Sequence, residues 1–473
     1  MPRSGSRYNN DGKNVAMTSP RQMHLGFTIW PAGFHPAGWR LPGAQTDGNT
    51  NAKFLAAMAR TAERGKLDFF FIGDQVIGLP EWQYERPNQV LRPEALTLAG
   101  YIAGVTEKIG IVATVNTTYA DPYSVARATA TLDHLSGGRI GWNVVTGEAE
   151  AAAGNYNRKQ HWDNARRYDW ATEFTETVKL LWDSWEDDAR VADQATGRFV
   201  DEAKVHRIDH KGEFFSVEGP LNVQRPPQGQ LPIVNAGRSD RSVEFGARFS
   251  DIKFTNSSIL GLAGAKAYYA DLKGRLAKYG RDPGDQAILP GLVVYADETT
   301  QGAHAQYRQI QELSVAEFNA KILSEALGLD LAGVRKDTPI GDVADLAALT
   351  GPARTIIEDA QSLYGTDKVS LADIYLAYRR RPYFKEVAGN PRQIADVMEE
   401  WFTERAVDGF MIFPPTVPGS AESFVDLVVP ELQRRGLFRT EYAGSTLREH
   451  FNLPRPANHF AAAPTPSPIE ALT

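Results

Sequence analysis

The chain has 473 residues, 42% of them apolar and 23% charged, and a formal net charge of −7. This is the composition of a globular protein with a large core. The missing Lys/Arg stripe argues against nucleic acid and against an anionic membrane surface. The chain has no cysteine, which excludes disulfides, thiolate nucleophiles and Cys-ligated zinc or iron–sulfur centres. A reducing cytoplasm is the expected compartment.

Residues 1–20 are polar and rich in Gly, Asn and Ser, so a disordered arm is expected there rather than a signal peptide. No run of about 18 apolar residues is present to span a membrane. Short apolar runs then recur at 24–30 (HLGFTIW), 68–73 (DFFFIG), 109–116 (IGIVATVN) and 139–145 (RIGWNVV). They continue at 232–237 (PIVNAG), 251–255 (DIKFT), 288–295 (ILPGLVVY) and 409–413 (GFMIF). Runs without clean alternation suit parallel strands covered on both faces.

Helical patterns lie between them. Residues 51–65 place Phe54, Leu55, Met58 and Ala62 on one face, and 123–136 do the same with Val125, Ala128, Leu132 and Leu135 before stopping at Gly137-Gly138, a C-cap signal. Another helix is expected over 171–185. Asn390-Pro391-Arg392-Gln393 reads as a capping box. Strands alternating with helices predict an α/β fold, a (β/α)8 TIM-type barrel. Two gaps exceed one strand–helix unit, so insertions are expected after strand 4, near 146–231, and after strand 7, near 296–408. The first contains a hairpin-like piece at 205–223. The barrel domain is expected over 21–455, with a flexible tail over 456–473. An open doubly wound sheet is the alternative, but no G-x-G-x-x-G follows the first strand and there is no P-loop.

In a barrel, chemistry sits at the C-terminal strand ends, and polar residues recur there. Asp74 follows the second strand. Thr114 and Asn116 are two apart in the third and share a face. Asn143 and Thr146 come from the fourth. Each alone reads equally well as a satisfied core hydrogen bonder; together they point to a ligand at the mouth. In NAGRSDRS (235–242), Gly237 permits a close turn, and Ser239 or Asp240 caps the next helix. This is either an anion site at a helix start or an ordinary capped turn. His206 and His210 are four apart but flank a β-rich piece, so no metal is expected. His35 and His161 fall in loops. No G-x-S-x-G elbow supports a serine hydrolase.

RQMHL (21–25), HPAGWR (35–40), ARTAERGKLDFFFIGD (59–74), PYSVARATATLDHLSGGRIGWNVVTG (122–147), NAGRS (235–239) and AVDGFMIFPPTVPGS (406–420) form a distinctive set. Together they resemble the bacterial-luciferase-like flavin monooxygenases, in the branch of nitrilotriacetate, EDTA and dibenzothiophene-sulfone monooxygenases. The resemblance covers roughly residues 21–454. It implies a barrel that takes reduced FMN from a separate NAD(P)H-dependent flavin reductase, by encounter or by diffusion of the cofactor. With O2 it would oxidise a small organic substrate (a sulfone, an aminopolycarboxylate or similar) through a flavin peroxide.

Carried over by position, Asp74, Thr114, Asn116 and Asn143 would line the flavin ring and ribityl chain. Tyr168 and the Gly237-Arg238-Ser239 turn would hold the phosphate. Asn164 stands where several relatives have a histidine. Gly147 replaces a serine and Ala326 replaces a histidine of some relatives. His35 is the candidate catalytic group on the oxygen or substrate side, through its neutral–cationic switch. Trp30, Phe34 and Trp39 would wall the substrate pocket or simply pack. A homo-oligomer, dimer or tetramer, is expected. A deazaflavin (F420)-dependent hydride transferase, a flavin binder without turnover and a metal-dependent barrel hydrolase are the alternatives.

Overall fold

In the computed structural model, which describes residues 21–78, 91–313, 319–380 and 382–461, parallel strands close into a ring. They are β1 (His24–Thr28), β2 (Phe69–Ile72), β3 (Gly110–Asn116), β4 (Ile140–Val145), β5 (Ile233–Asn235), β6 (Ile252–Thr255), β7 (Ala287–Ala296) and β8 (Gly409–Phe413). Each pairs with its neighbours in chain order, and β8 returns to β1 with Met411 opposite Gly26. The expected (β/α)8 barrel is therefore the fold. The arm expected over 1–20 lies outside the described residues.

Alternation divides the core into two shells. Phe69, Phe71, Val112, Val234, Ile252, Leu289, Met411 and Phe413 fill the barrel interior. Phe70, Ile72, Ile111, Ala113, Trp142 and Val144 point outward into the helix layer. Gly26 makes room for this packing: a Cβ there would come within 2.3 Å of Met411 Sδ and 2.6 Å of the Phe69 ring.

Local signals set the helices. Ala52–Arg64 starts at Asn51, whose side chain accepts from Phe54 N. Pro122–Ser136 starts at an Asp121 cap and ends at Gly137 with φ 70°, the left-handed stop that glycine permits. Pro391–Thr403 carries the expected capping box. The helix expected from residue 171 begins a full turn and more earlier: it runs Asn164–Asp183, because Asp163 accepts from Arg166 N and caps it. That shift puts Asn164 and Tyr168 on one helix face.

Between β4 and β5 lie this helix and two small hairpins, Arg190–Asp193 with Arg198–Val200 and His210–Lys211 with Ser216–Val217. Between β7 and β8, helices Ala320–Leu327, Gly351–Tyr364 and Leu371–Arg380 form a core of their own around Leu323, Ile357, Leu371 and Ile374. A strand not anticipated from the sequence, Lys385–Gly389, follows them. It pairs with the second half of β7, Leu292 to Ala296, beyond the stretch where β7 pairs with β6.

The described part of the tail expected from residue 456, as far as Ala461, is hydrogen-bonded to the rest of the chain. Pro456 O accepts from Arg225 Nη2 at 2.9 Å, and Asn458 Nδ2 donates to Asp183 O and Trp185 O. None of the described helices is long and apolar enough to cross a membrane.

Candidate active site

The third and fourth strands turn alternate residues inward, so Thr114 and Asn143 face the interior opposite each other, with Thr28 of β1 on the same inner surface. All three are buried. Thr114 Oγ1 donates to Ile72 O at 2.8 Å and accepts from Asn143 Nδ2 at 2.9 Å. Asn143 Oδ1 and Thr28 Oγ1 have no partner among the described residues. A buried acceptor without a donor costs about 1–3 kcal/mol. Two such atoms inside one barrel fit a ligand that supplies the missing bonds.

The opposite side is aromatic. Phe413 of β8 packs tilted against Phe384 at 4.4 Å, meets Phe34 edge-on at 4.8 Å and stacks with Phe254 at 5.8 Å. Phe384 arrives from the second long inter-strand segment and lies on Gly291 of β7, where a Cβ would come within 2.4 Å of its ring. Trp30 joins Phe34 edge-on at 5.4 Å. The Arg92 guanidinium lies 4.1 Å above the Trp30 ring. Burial lowers its pKa to about 10, and the Asp74 carboxylate partly offsets this. Trp39, expected with this group, is exposed instead, in the short Gly38–Arg40 turn.

His35 follows Phe34. Its Nδ1 accepts from Ala37 N at 3.1 Å, so the neutral ring carries its proton on Nε2. Burial lowers its pKa to about 4. The cationic form expected from the sequence is thus disfavoured, and the group stands near neutral pH as an uncharged N–H donor.

Around the rim, Asp74 braces the loop after β2, accepting from Gln75 N at 2.7 Å and Ala95 N at 3.3 Å. Burial raises its carboxyl pKa and these backbone bonds pull it partly back. Asn116 Oδ1 accepts from Thr118 N. Its amide nitrogen lies 2.4 Å from where a Cβ of Gly147 would stand, and Gly147 has φ 65°. Glycine here is therefore a packing requirement.

Beyond β5 the chain turns at Gly237, with φ 108°. Ser239 caps helix Asp240–Phe249, accepting from Ser242 N at 3.2 Å. Tyr168 Oη lies 3.4 Å from the position a Gly237 Cβ would occupy. Gly237, Arg238 and Ser239 are exposed, as is Asn164 one turn before Tyr168. Burial raises the Tyr268 and Tyr383 phenols, and Arg238 lies near enough to offset part of this. The result is an open cradle with free helix N–H groups, one hydroxyl and one guanidinium, a chemistry suited to a phosphate.

Other residues singled out from the sequence fall elsewhere. His206 pairs with Glu186 at 2.8 Å and His210 with Glu173 at 3.0 Å, each a separate ion-pair partner. Ala326 packs on the separate helical core. His161 is held between Tyr119 Oη at 2.6 Å and Arg167 Nη1 at 2.5 Å. Burial and the Arg167 charge lower its pKa. Sequence reasoning missed Phe384 and Glu386, which share a face of the added strand. Burial raises the Glu386 carboxyl to about 7 against a hydrogen bond with Tyr307, and Tyr295 Oη nearby is buried without a partner among the described residues.

A barrel whose inner face is polar on one side and aromatic on the other, with polar residues gathered where the strands end, has the form of a (β/α)8 enzyme with its site at the C-terminal face. The comparisons define it further. The family model for luciferase-like monooxygenases matches residues 34–367, and the chain belongs to that family. It is 41% identical to the N-acetyl-S-(2-succino)cysteine monooxygenase of Bacillus subtilis (strain 168), over 94% of this chain and 100% of that one. It is 43% identical to nitrilotriacetate monooxygenase component A of Aminobacter aminovorans, over 94% of this chain and 99% of that one. The structure of EDTA monooxygenase from Chelativorans sp. BNC1 superposes with a TM-score of 0.72 at 32% identity, covering 92% of this chain and 99% of that one. The branch inferred from the motifs is thereby borne out. Two F420-dependent enzymes match with TM-scores of 0.53 at 13% and 14% identity, a likeness of fold alone.

Proposed function

We propose that this chain is the oxygenating component of a two-component system. It would use reduced FMN, delivered by a separate reductase, and O2 to oxidise a small organic substrate. The observation that carries the cofactor is the convergence of the Tyr168 hydroxyl on the Gly237 turn at a helix start. A phosphate there would accept from Tyr168 Oη, from the free N–H groups before Ser242 and from the Arg238 guanidinium. Val234, three residues before Gly237, pairs with Asn143, so the cradle and the orphaned amide are at most roughly 10 Å apart along the chain. That spacing lets one ligand reach both.

In this reading the bound flavin supplies the oxygen-activating chemistry. The protein binds, orients and excludes water. Asn143 Oδ1 accepts a ring N–H, and Asn143 Nδ2 is fixed by Thr114 so that the amide cannot flip. Asp74, in the loop after β2, and Asn116, at the end of β3, border the ring and ribityl chain. The Phe34, Phe254, Phe384 and Phe413 wall keeps water from the reacting face. His35, uncharged, stands in the loop after β1 next to Phe34 of this wall. The aromatic wall fits the apolar body of a substrate, and Arg92 above Trp30 suits an acidic group on it. Relatives named for nitrilotriacetate, EDTA and N-acetyl-S-(2-succino)cysteine act on acids of that kind.

The test is an anaerobic titration with photoreduced FMN, followed by mixing with O2 and candidate acids or sulfones. Saturable binding and substrate consumed in step with flavin reoxidation are expected. Binding of F420 with no binding of reduced FMN would overturn the assignment.

A further inference from the structure

We propose that Lys253 is the buried counter-charge of the phosphate held at the Gly237-Arg238-Ser239 turn. The inference rests on the FMN reading above. Lys253 projects outward from β6, between Ile252 and Phe254, and its side chain has no exposure. Its ammonium donates to Asn235 Oδ1 at 2.5 Å and to Ser242 O and Ser242 Oγ at 3.3 Å. All three acceptors are neutral.

The carboxylates on the surrounding elements are engaged elsewhere. Arg275 takes Asp240, Glu244 and Asp271. Lys278 and Tyr279 also bind Glu244. Arg281 and Arg448 flank Asp251 at 3.9 Å and 4.0 Å. Arg248 pairs with Glu176 and Arg241 with Asp169.

A buried ammonium without a carboxylate is costly. It lies against the side of helix Asp240–Phe249, between Ser242 and Gly246, where a Cβ on Gly246 would come within 3.4 Å of Lys253 Nζ. Ser242 links it to the cradle. Its Oγ lies 3.3 Å from Lys253 Nζ and 2.7 Å from where a Gly237 Cβ would stand. The charge therefore lies one side chain behind the cradle, out of contact with the phosphate. Lys253 is a positioning and charge-balancing residue.

Burial lowers the Lys253 pKa to about 7. A phosphate dianion in front of it favours the ammonium, so FMN binding takes up a proton wherever the free protein has lost it. The affinity for FMN is then highest at low pH and declines as pH rises through the free-state pKa. Riboflavin, which lacks the phosphate, shows none of this.

The experiment compares photoreduced FMN with reduced riboflavin on the full chain, anaerobically, by calorimetry in two buffers between about pH 7 and 9, where a phosphomonoester stays dianionic. The wild type is expected to prefer FMN, to lose part of that preference as pH rises, and to take up protons with FMN alone. In Lys253→Met the preference should fall at least about tenfold, the worth of one pKa unit of coupling. It should also become flat with pH, while the ligand-free variant melts no lower than wild type. An undiminished, equally pH-dependent preference in the variant overturns the role of Lys253. A wild type that binds riboflavin as well as FMN overturns the phosphate cradle itself. Should the variant not fold, the wild-type proton balance decides: no FMN-specific uptake near pH 8 overturns the proposal.

Discussion

Asn143 Nδ2 donates to Thr114 Oγ1 at 2.9 Å while Asn143 Oδ1, on the same amide, is buried with no partner among the described residues. One half of the side chain is spent on the neighbouring strand and the other half is kept open. Thr114 in turn donates to Ile72 O at 2.8 Å, so three adjacent strands fix the direction in which the open oxygen points.

Asn143→Leu follows directly. The variant loses one buried hydrogen bond and also one orphaned acceptor, so its stability should stay within about 1 kcal/mol of wild type. Its affinity for reduced FMN should fall roughly tenfold, the worth of one hydrogen bond of about 1.4 kcal/mol. Urea denaturation and anaerobic titration give the two numbers. Lost stability with intact affinity would make Asn143 structural.

Tyr168→Phe removes the hydroxyl that faces Gly237 and leaves the ring against Phe245, 6.0 Å away. Folding should be unaffected. FMN binding should weaken by about 1.5–3 kcal/mol, the range for a hydrogen bond to a charged group, and riboflavin binding should not change. Ser239→Ala is the less clean partner, since it also removes the helix cap, worth about 1 kcal/mol of stability. A Tyr168→Phe protein that loses affinity for both ligands equally would place the hydroxyl away from the phosphate.

The barrel was legible because its strands are apolar on both faces and its helices carry their own stop and start signals, as at Asp121, Gly137 and Asn390. The mouth was half legible. Asn143 and Thr114 stood out as polar residues in apolar runs, and Ser239 as a cap. The added strand was not legible, because Glu386 lies between Phe384 and Ala388 on its inward face and erases the alternation that marks a strand. Its pairing with β7 is a long-range event that no local pattern encodes. The start of the helix holding Tyr168 was missed because its first turns, Asn164 to Asp169, are polar; only Asp163 marks it. Lys253 was visible as a lone charge in an apolar strand, but its meaning depends on Ser242 and Gly237 lying beside it.

Gly147→Ser would introduce the hydroxyl that the resemblance leads one to expect after β4. The backbone at φ 65° disfavours any side chain, and the new Cβ would come within 2.4 Å of Asn116 Nδ2. A destabilisation of about 1–3 kcal/mol is expected for a residue forced into that region, along with weaker flavin binding as Asn116 is displaced. Thermal melting beside the titration checks it. A variant as stable as wild type with improved binding would show that the loop relaxes freely and that glycine is no packing requirement.

His35→Asn tests the uncharged state of the histidine. The free imidazole titrates at 6.5 and the folded one at about 4, so the unfolded chain binds the extra proton first as pH falls. The contribution to stability is therefore complete above pH 6.5 and is lost progressively as pH falls toward about 4. The wild type should show a steeper loss of stability across that window than His35→Asn, whose side-chain oxygen still accepts from Ala37 N. Denaturant titrations at several pH values measure the slopes. Turnover should show no step from His35 between about pH 5 and 8, because the ring stays neutral throughout. A rate inflection near pH 6.5 that disappears in the variant would mean that the ring titrates at its ordinary value, and His35 would return to the role of a cationic proton donor.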